Sequence, residues 1–159
     1  MAPTDPGAPA DATPTRPVLF AYDGSELAAV AVEQAGRQCA AGRDALVVCV
    51  WQPNDVGFIP TSKQQFDAAS ASEVRKAAQE TAAYGASLAE TAGFHAQSLA
   101  IEAAPTWQGI IEAAQEHRAS LIVLGSHRRS GIIGHLLGSV AAAVVAHTAS
   151  SVLIVHQQA

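Results

Sequence analysis

The sequence is poor in cysteine, in charge and in basic residues, and it has no long apolar run. Cys39 and Cys49 are its two cysteines. Neither belongs to a Cys-x-x-Cys pair or to a Cys/His spacing that suits a metal. Both lie in apolar stretches, so they are expected to be buried, reduced thiols of a cytoplasmic protein. Charged residues make up 14% of the chain, and 14 acids against 9 bases leave a formal net charge of −5. A nucleic-acid binder is expected to carry a basic stripe, which this balance disfavours. No apolar segment approaches the ~20 residues that cross a bilayer. The N-terminus has neither the basic region nor the apolar region of a signal peptide. Nucleic acid and membrane are therefore set aside as partners.

What is present is a globular composition. With 159 residues, 49% of them hydrophobic, the chain is long enough for one domain with a full core. Residues 1–16 carry Pro3, Pro6, Pro9 and Pro14 among Ala, Thr and Asp. Such a stretch has little to bury and is expected to be a disordered tail. Residues 17–159 form the domain.

Within it, apolar strands alternate with helical patterns. Pro17–Tyr22 is nearly continuous in apolar residues, as a central parallel strand covered on both faces should be. It runs into Asp23-Gly24-Ser25, where Ser25 can cap a helix carrying Leu27, Val30, Ala31 and Ala35 on one stripe. Gly42 is expected to close that helix. Ala45–Trp51 is a second strand, and a long loop from Asn54 to about Ser72 follows it. A second helix is expected from a Ser72 cap to Thr91, ended by Gly93. Phe94–Ile101 alternates and reads as a less buried strand. Pro105 opens a third helix with Trp107, Ile110, Ile111 and Ala114 on its buried stripe. Leu121–Leu124 is a fourth strand, and Ser151–His156 a fifth. The order predicts a doubly wound, five-stranded parallel sheet with helices on both faces. Ligands of such sheets bind beyond the C-terminal strand ends, where the strand order reverses. Topology therefore allows Asp23, after the first strand, to meet the segment Gly125–Ser139, after the fourth.

That segment is strand, glycine loop, helix. Gly138-Ser139 leads into a helical run with Val140, Val144, Val145 and Thr148 as its apolar positions. Helix N-termini attract anions through unpartnered N–H groups and the positive dipole end. The loop is neither a Walker A loop nor Gly-x-Gly-x-x-Gly. Its spacing is Gly125, two residues, Arg128, nine residues, Gly138-Ser139. The residues also permit plainer roles. Asp23 suits a turn, Ser139 a helix cap, and Arg128 with Arg129 a solvated loop. Trp51 and Trp107 suit packing, although Trp51 lies at the sheet edge where a base would sit.

The spacing resembles the universal stress protein family, whose nucleotide-binding members carry Gly-x2-Gly-x9-Gly-Ser/Thr. Gly125, Gly138 and Ser139 match, while Arg128 replaces the second glycine. Val18–Glu26, Ala119–His127, Gly134–Val140 and Ser150–Val155 resemble further family segments in the same order, so the resemblance spans about Pro17 to Val155. It implies ATP, with Mg²⁺, as ligand. Asp23 would accept from the adenine amino group, and Ala21, Val50 and Leu124 would be apolar walls. Gly125, Gly138, Ser139 and Val140 would offer N–H groups to phosphate, with the Ser139 hydroxyl beside them. Arg128 either obstructs the backbone's approach or pairs with phosphate through its guanidinium. The resemblance also implies a homodimer through Val152–Val155 and, in some members, cyclic AMP as ligand. The residues themselves show no catalytic base, no nucleophile and no Gly-x-Ser-x-Gly elbow. The expected function is a cytoplasmic, nucleotide-binding regulatory module with at most slow ATP hydrolysis. The competing reading is a dimeric interaction protein that binds no nucleotide.

Overall fold

The computed structural model describes residues 16–53, 68–126 and 137–156. Five strands and four helices alternate along them: β1 Val18–Ala21, α1 Glu26–Gln38, β2 Asp44–Trp51, α2 Ala68–Thr91, β3 His95–Glu102, α3 Thr106–Glu116, β4 Leu121–Ser126, α4 Ser139–His147 and β5 Ser151–His156. The sheet order is β3-β2-β1-β4-β5 and every pairing is parallel. Val18 of β1 lies beside Ala45 of β2 on one side and Leu121 of β4 on the other.

Strand alternation divides the core into two layers. Val18, Phe20, Tyr22, Ala45, Val47 and Val123 face α1 and α2. Leu19, Leu46, Val48, Ile122 and Leu124 face α3 and α4. Central strands buried on both faces explain the nearly unbroken apolar runs in the sequence. β3 is an edge strand, and its residues are mostly half-buried or exposed, as its polar alternation implies. α2 lies close against the sheet because its inward face is built from Ala78, Ala82, Ala86 and Ala89. Gly85 belongs to that contact: a Cβ there would sit 2.7 Å from the Tyr22 ring.

The helix ends differ in part from the expectation. α1 starts as foreseen, with Ser25 Oγ accepting from the Ala28 N–H at 3.1 Å. It ends at a Cys39 cap, however, so Gly42 (φ +78°) serves the turn after the helix. α2 begins at Ala68, which places Ser72 inside the helix instead of at its cap. Its C-terminus is a Schellman ending: Phe94 N–H donates to Ala89 O, Gly93 N–H donates to Glu90 O, and Gly93 has φ +100°. α3 ends in the same motif, with Ala119 N–H on Ala114 O and Arg118 N–H on Gln115 O. There the left-handed position is held by Arg118 at φ +53°.

α4 corrects two expectations. Its N-cap is Gly138, and Ser139 is its first helical residue. Its buried residues are Ala141 and Val144, whereas Val140 and Val145 are exposed. The expected tail at 1–16 apart from Arg16, most of the loop after β2, and Arg128, Arg129, His127 and His135 fall outside the described residues. No described helix is long and apolar enough to cross a membrane.

Candidate functional site

The order of strands creates a cleft. The connections after β1 and β4 leave neighbouring strand ends toward opposite faces of the sheet, so no element covers the gap between them. A cavity of about 150 Å³ opens there. A cavity of roughly that size accommodates a benzene-sized ring. Its walls are mostly apolar: Ala21 from β1, Val48 and Val50 from β2, Leu124 and Gly125 from β4, Leu27 and Ala28 from α1, and Ile110 from α3. Polar groups stand at the rim, namely Asp23, Ser25 and Thr106, and the first turn of α4 closes one side through Val140 and Ala141.

Asp23 is exposed, and its Oδ1 accepts from the Ser25 N–H at 2.9 Å. This Asx turn presents Ser25 to α1 and keeps the carboxylate beside the cleft. Tyr22 is 3% exposed. Burial raises its phenol above the ordinary value, and the nearby Tyr84 and Asp23 push it the same way.

Gly125 has a packing role of its own. A Cβ there would lie 2.8 Å from Leu27 Cγ and 2.9 Å from Leu27 O. The absence of a side chain is what lets α1 pass close to the end of β4. Ser126, next in the chain, is 3% exposed and is the buried polar residue of the described core. Its hydroxyl accepts from the Gly138 N–H at 3.0 Å.

Of the residues expected at the site, Ala21, Asp23, Val50, Leu124, Gly125 and Val140 line this cleft. Gly138 and Ser139 begin α4 immediately before Val140. Arg128 lies outside the described residues. Trp51 is elsewhere, packed with Cys49, Ala78 and Ala82 between α2 and the sheet. Trp107 stacks on His147, ring centroids 4.5 Å apart, between α3 and α4. Sequence reading did not place Tyr22, Leu27, Ala28 and Val48 in the cleft, nor Ser25, Thr106, Ile110 and Ala141. Thr106 and Ala141 carried the one available signal, since each lies in the first turn of a helix that begins at the strands' C-terminal edge.

A parallel α/β domain with an apolar cleft at its switch point, rimmed by helix N-termini, is a doubly wound fold, a class whose ligands bind at that point. The universal stress protein family matches residues 14–156, and the chain belongs to that family. Among solved structures it is similar to a universal stress protein in complex with cAMP, at 26% identity and TM-score 0.66, over 92% of this chain and 100% of that one. A universal stress protein family member from Burkholderia pseudomallei aligns at 21% identity and TM-score 0.63, over 91% and 98% of the two chains. The universal stress protein from Archaeoglobus fulgidus, solved with dAMP, aligns at 19% identity and TM-score 0.55, over 89% and 98%. No curated protein sequence matches the chain.

Proposed function

We propose that this protein binds an adenine nucleotide, ATP first among them, in the cleft between β1 and β4, and works as a cytoplasmic regulatory module. The observation that carries the reading is the cleft itself. It is apolar, of ring size, and bordered by the start of α4, whose N-cap Gly138 makes no side-chain cap bond. A purine is flat and largely apolar on its faces, and it would lie between Ala21, Val50 and Leu124 over Gly125. The Asp23 oxygen not engaged in the turn would accept from the adenine amino group.

Phosphates would meet the first turn of α4, where anions are favoured by orphan N–H groups and the helix dipole. Ser139, through its N–H and hydroxyl, and Val140 would donate there. Gly138 would offer its N–H only by giving up Ser126. Arg128 would supply countercharge. Mg²⁺ would arrive on the phosphates. Among the described residues, no group of three or more His, Cys, Asp or Glu is placed to hold a metal. The protein would assemble as a homodimer through Val152–Val155, supported by the position of β5 at the sheet edge.

Cyclic AMP is the second reading, favoured by the 26% identical relative solved with that ligand. Calorimetric titration of nucleotide-stripped protein with Mg-ATP, and separately with cyclic AMP, tests both. Micromolar binding, about −8 kcal/mol, is expected for ATP. Preference for cyclic AMP would replace ATP as the ligand. No heat and no thermal shift with either would refute nucleotide binding and leave the dimeric interaction protein.

A further inference from the structure

Ser126 is the residue whose chemistry the cleft leaves unexplained. It ends β4 in an apolar environment, yet it is polar and 3% exposed. A buried hydroxyl is retained at a cost unless it is hydrogen-bonded. Its partner is the N–H of Gly138, 3.0 Å away and twelve positions along the chain. Gly138 is the N-cap of α4 and has no side-chain cap bond of its own. Ser126 therefore satisfies the N-cap's own N–H from another element, a donor that a Ser or Asp side chain at position 138 would not serve, because it would accept from the second or third helical N–H. The fit is tight: a Cβ on Gly138 would sit 3.3 Å from Ser126 Oγ. The Ser126 carbonyl is fixed as well, accepting from the His156 ring at 3.1 Å when Nδ1 carries the proton.

We infer that Ser126 is a positioning residue for phosphate recognition: by holding the Gly138 N–H it fixes the first turn of α4 against the cleft, so that the next N–H groups, of Ser139 and Val140, are the ones aimed at phosphate. The inference rests on the nucleotide-binding reading above and deepens it. Two geometric facts support it. Val140 and Ala141 of this same turn line the cleft. The Gly138 donor is already matched inside the protein, so a phosphate would have to displace Ser126 to use it. Ser126 also orders the apo site in advance, which lowers the ordering cost when ligand arrives.

The test compares wild type, Ser126→Ala and Ser126→Cys, the last keeping the size with a poorer acceptor. Each is titrated with Mg-ATP and with adenosine, which has the base but no phosphate, and amide hydrogen exchange is followed at Gly138. Ser126→Ala is expected to speed exchange at Gly138 and to weaken ATP about tenfold, a change of about 1.4 kcal/mol. Adenosine affinity should not move. Ser126→Cys should fall between the two proteins. Equal loss for ATP and adenosine, or unchanged Gly138 exchange, would overturn the positioning role while nucleotide binding stands. Wild type binding neither ligand would overturn the nucleotide reading and the inference together.

Discussion

A methyl group added at Gly125 would meet Leu27 Cγ at 2.8 Å, Leu27 O at 2.9 Å and the Leu27 carbonyl carbon at 3.1 Å. The last two are main-chain atoms of α1, which can retreat only as a helix, and its inner face is packed by Ala28, Ala31, Val32 and Ala35. Overpacking of a tight contact costs about 1–3 kcal/mol. In a domain of this size each kcal/mol lowers Tm by about 2–4 °C. Gly125→Ala should therefore melt roughly 2–12 °C below the parent. Adding Leu27→Ala removes only the Cγ contact, and that change by itself costs about 2–5 kcal/mol at a buried leucine. The double variant should be less stable than either single one, with a coupling term smaller than the cost of Gly125→Ala. Urea unfolding of the four proteins measures all of this. Gly125→Ala within about 0.5 kcal/mol of the parent, combined with a loss of nucleotide affinity, would refute the packing account. It would show instead that the glycine is there for the approach of a ligand.

Arg118 occupies a left-handed position at the end of α3, where L-residues are strained by roughly 1–2 kcal/mol. Arg118→Gly should raise stability by up to about 1 kcal/mol, because glycine's extra unfolded-state entropy offsets part of the relief; a lower urea midpoint would contradict this. The Tyr22 phenol is raised in the folded state, so the fold favours its protonated form. Its contribution is complete below about pH 10 and is lost as pH climbs through the raised folded value. Tyr22→Phe should flatten the alkaline fall in urea midpoint, and equal slopes in the two proteins would sink the assignment. Asp23→Asn keeps an acceptor for the Ser25 N–H, so its Tm should stay near the parent's while ATP weakens about tenfold. Asp23→Ala should lose both, with about 0.5–1.5 kcal/mol of stability gone. Unchanged ATP affinity in Asp23→Asn would remove Asp23 from the site.

The sheet could be read from the sequence because its strands are apolar on both faces and punctuated by turn residues. Asp23-Gly24-Ser25 gave the first turn and its cap for the same reason: each side chain acts on backbone within a few residues. α4 was harder. Its sequence, Ser139 to His147, is almost all Ala and Val, so helical periodicity has no polar contrast to mark the buried side. Val145 consequently read as core and is exposed, while Ala141, not singled out by its sequence, is buried. The early start of α2 had a similar cause, since Ala68 to Ser72 carries no large apolar residue that sets a phase. At the cleft, topology alone brought Asp23 and the segment from Gly125 to one sheet edge, while Ala21, Val50 and Leu124 came from the family resemblance. Roles defined by distant contacts were not recoverable. Nothing in Leu-Gly-Ser announces that Ser126 will hold the N-cap N–H of a helix twelve residues on, or that Gly125 makes room for Leu27.

The reversal of strand order between β1 and β4 also dictates when the cleft comes into being. β1 and β2 are neighbours in sequence as well as in space, but Val18 pairs with Leu121, about a hundred residues downstream. During synthesis and folding, the first three strands with α1 and α2 can assemble locally, whereas the gap between β1 and β4 must wait for the distant partner. A molecule that touches both strand ends therefore recognises only chains whose two halves have joined. Its binding energy is withheld from every partly assembled form, so such a ligand stabilises the finished protein and serves as a report that assembly is complete.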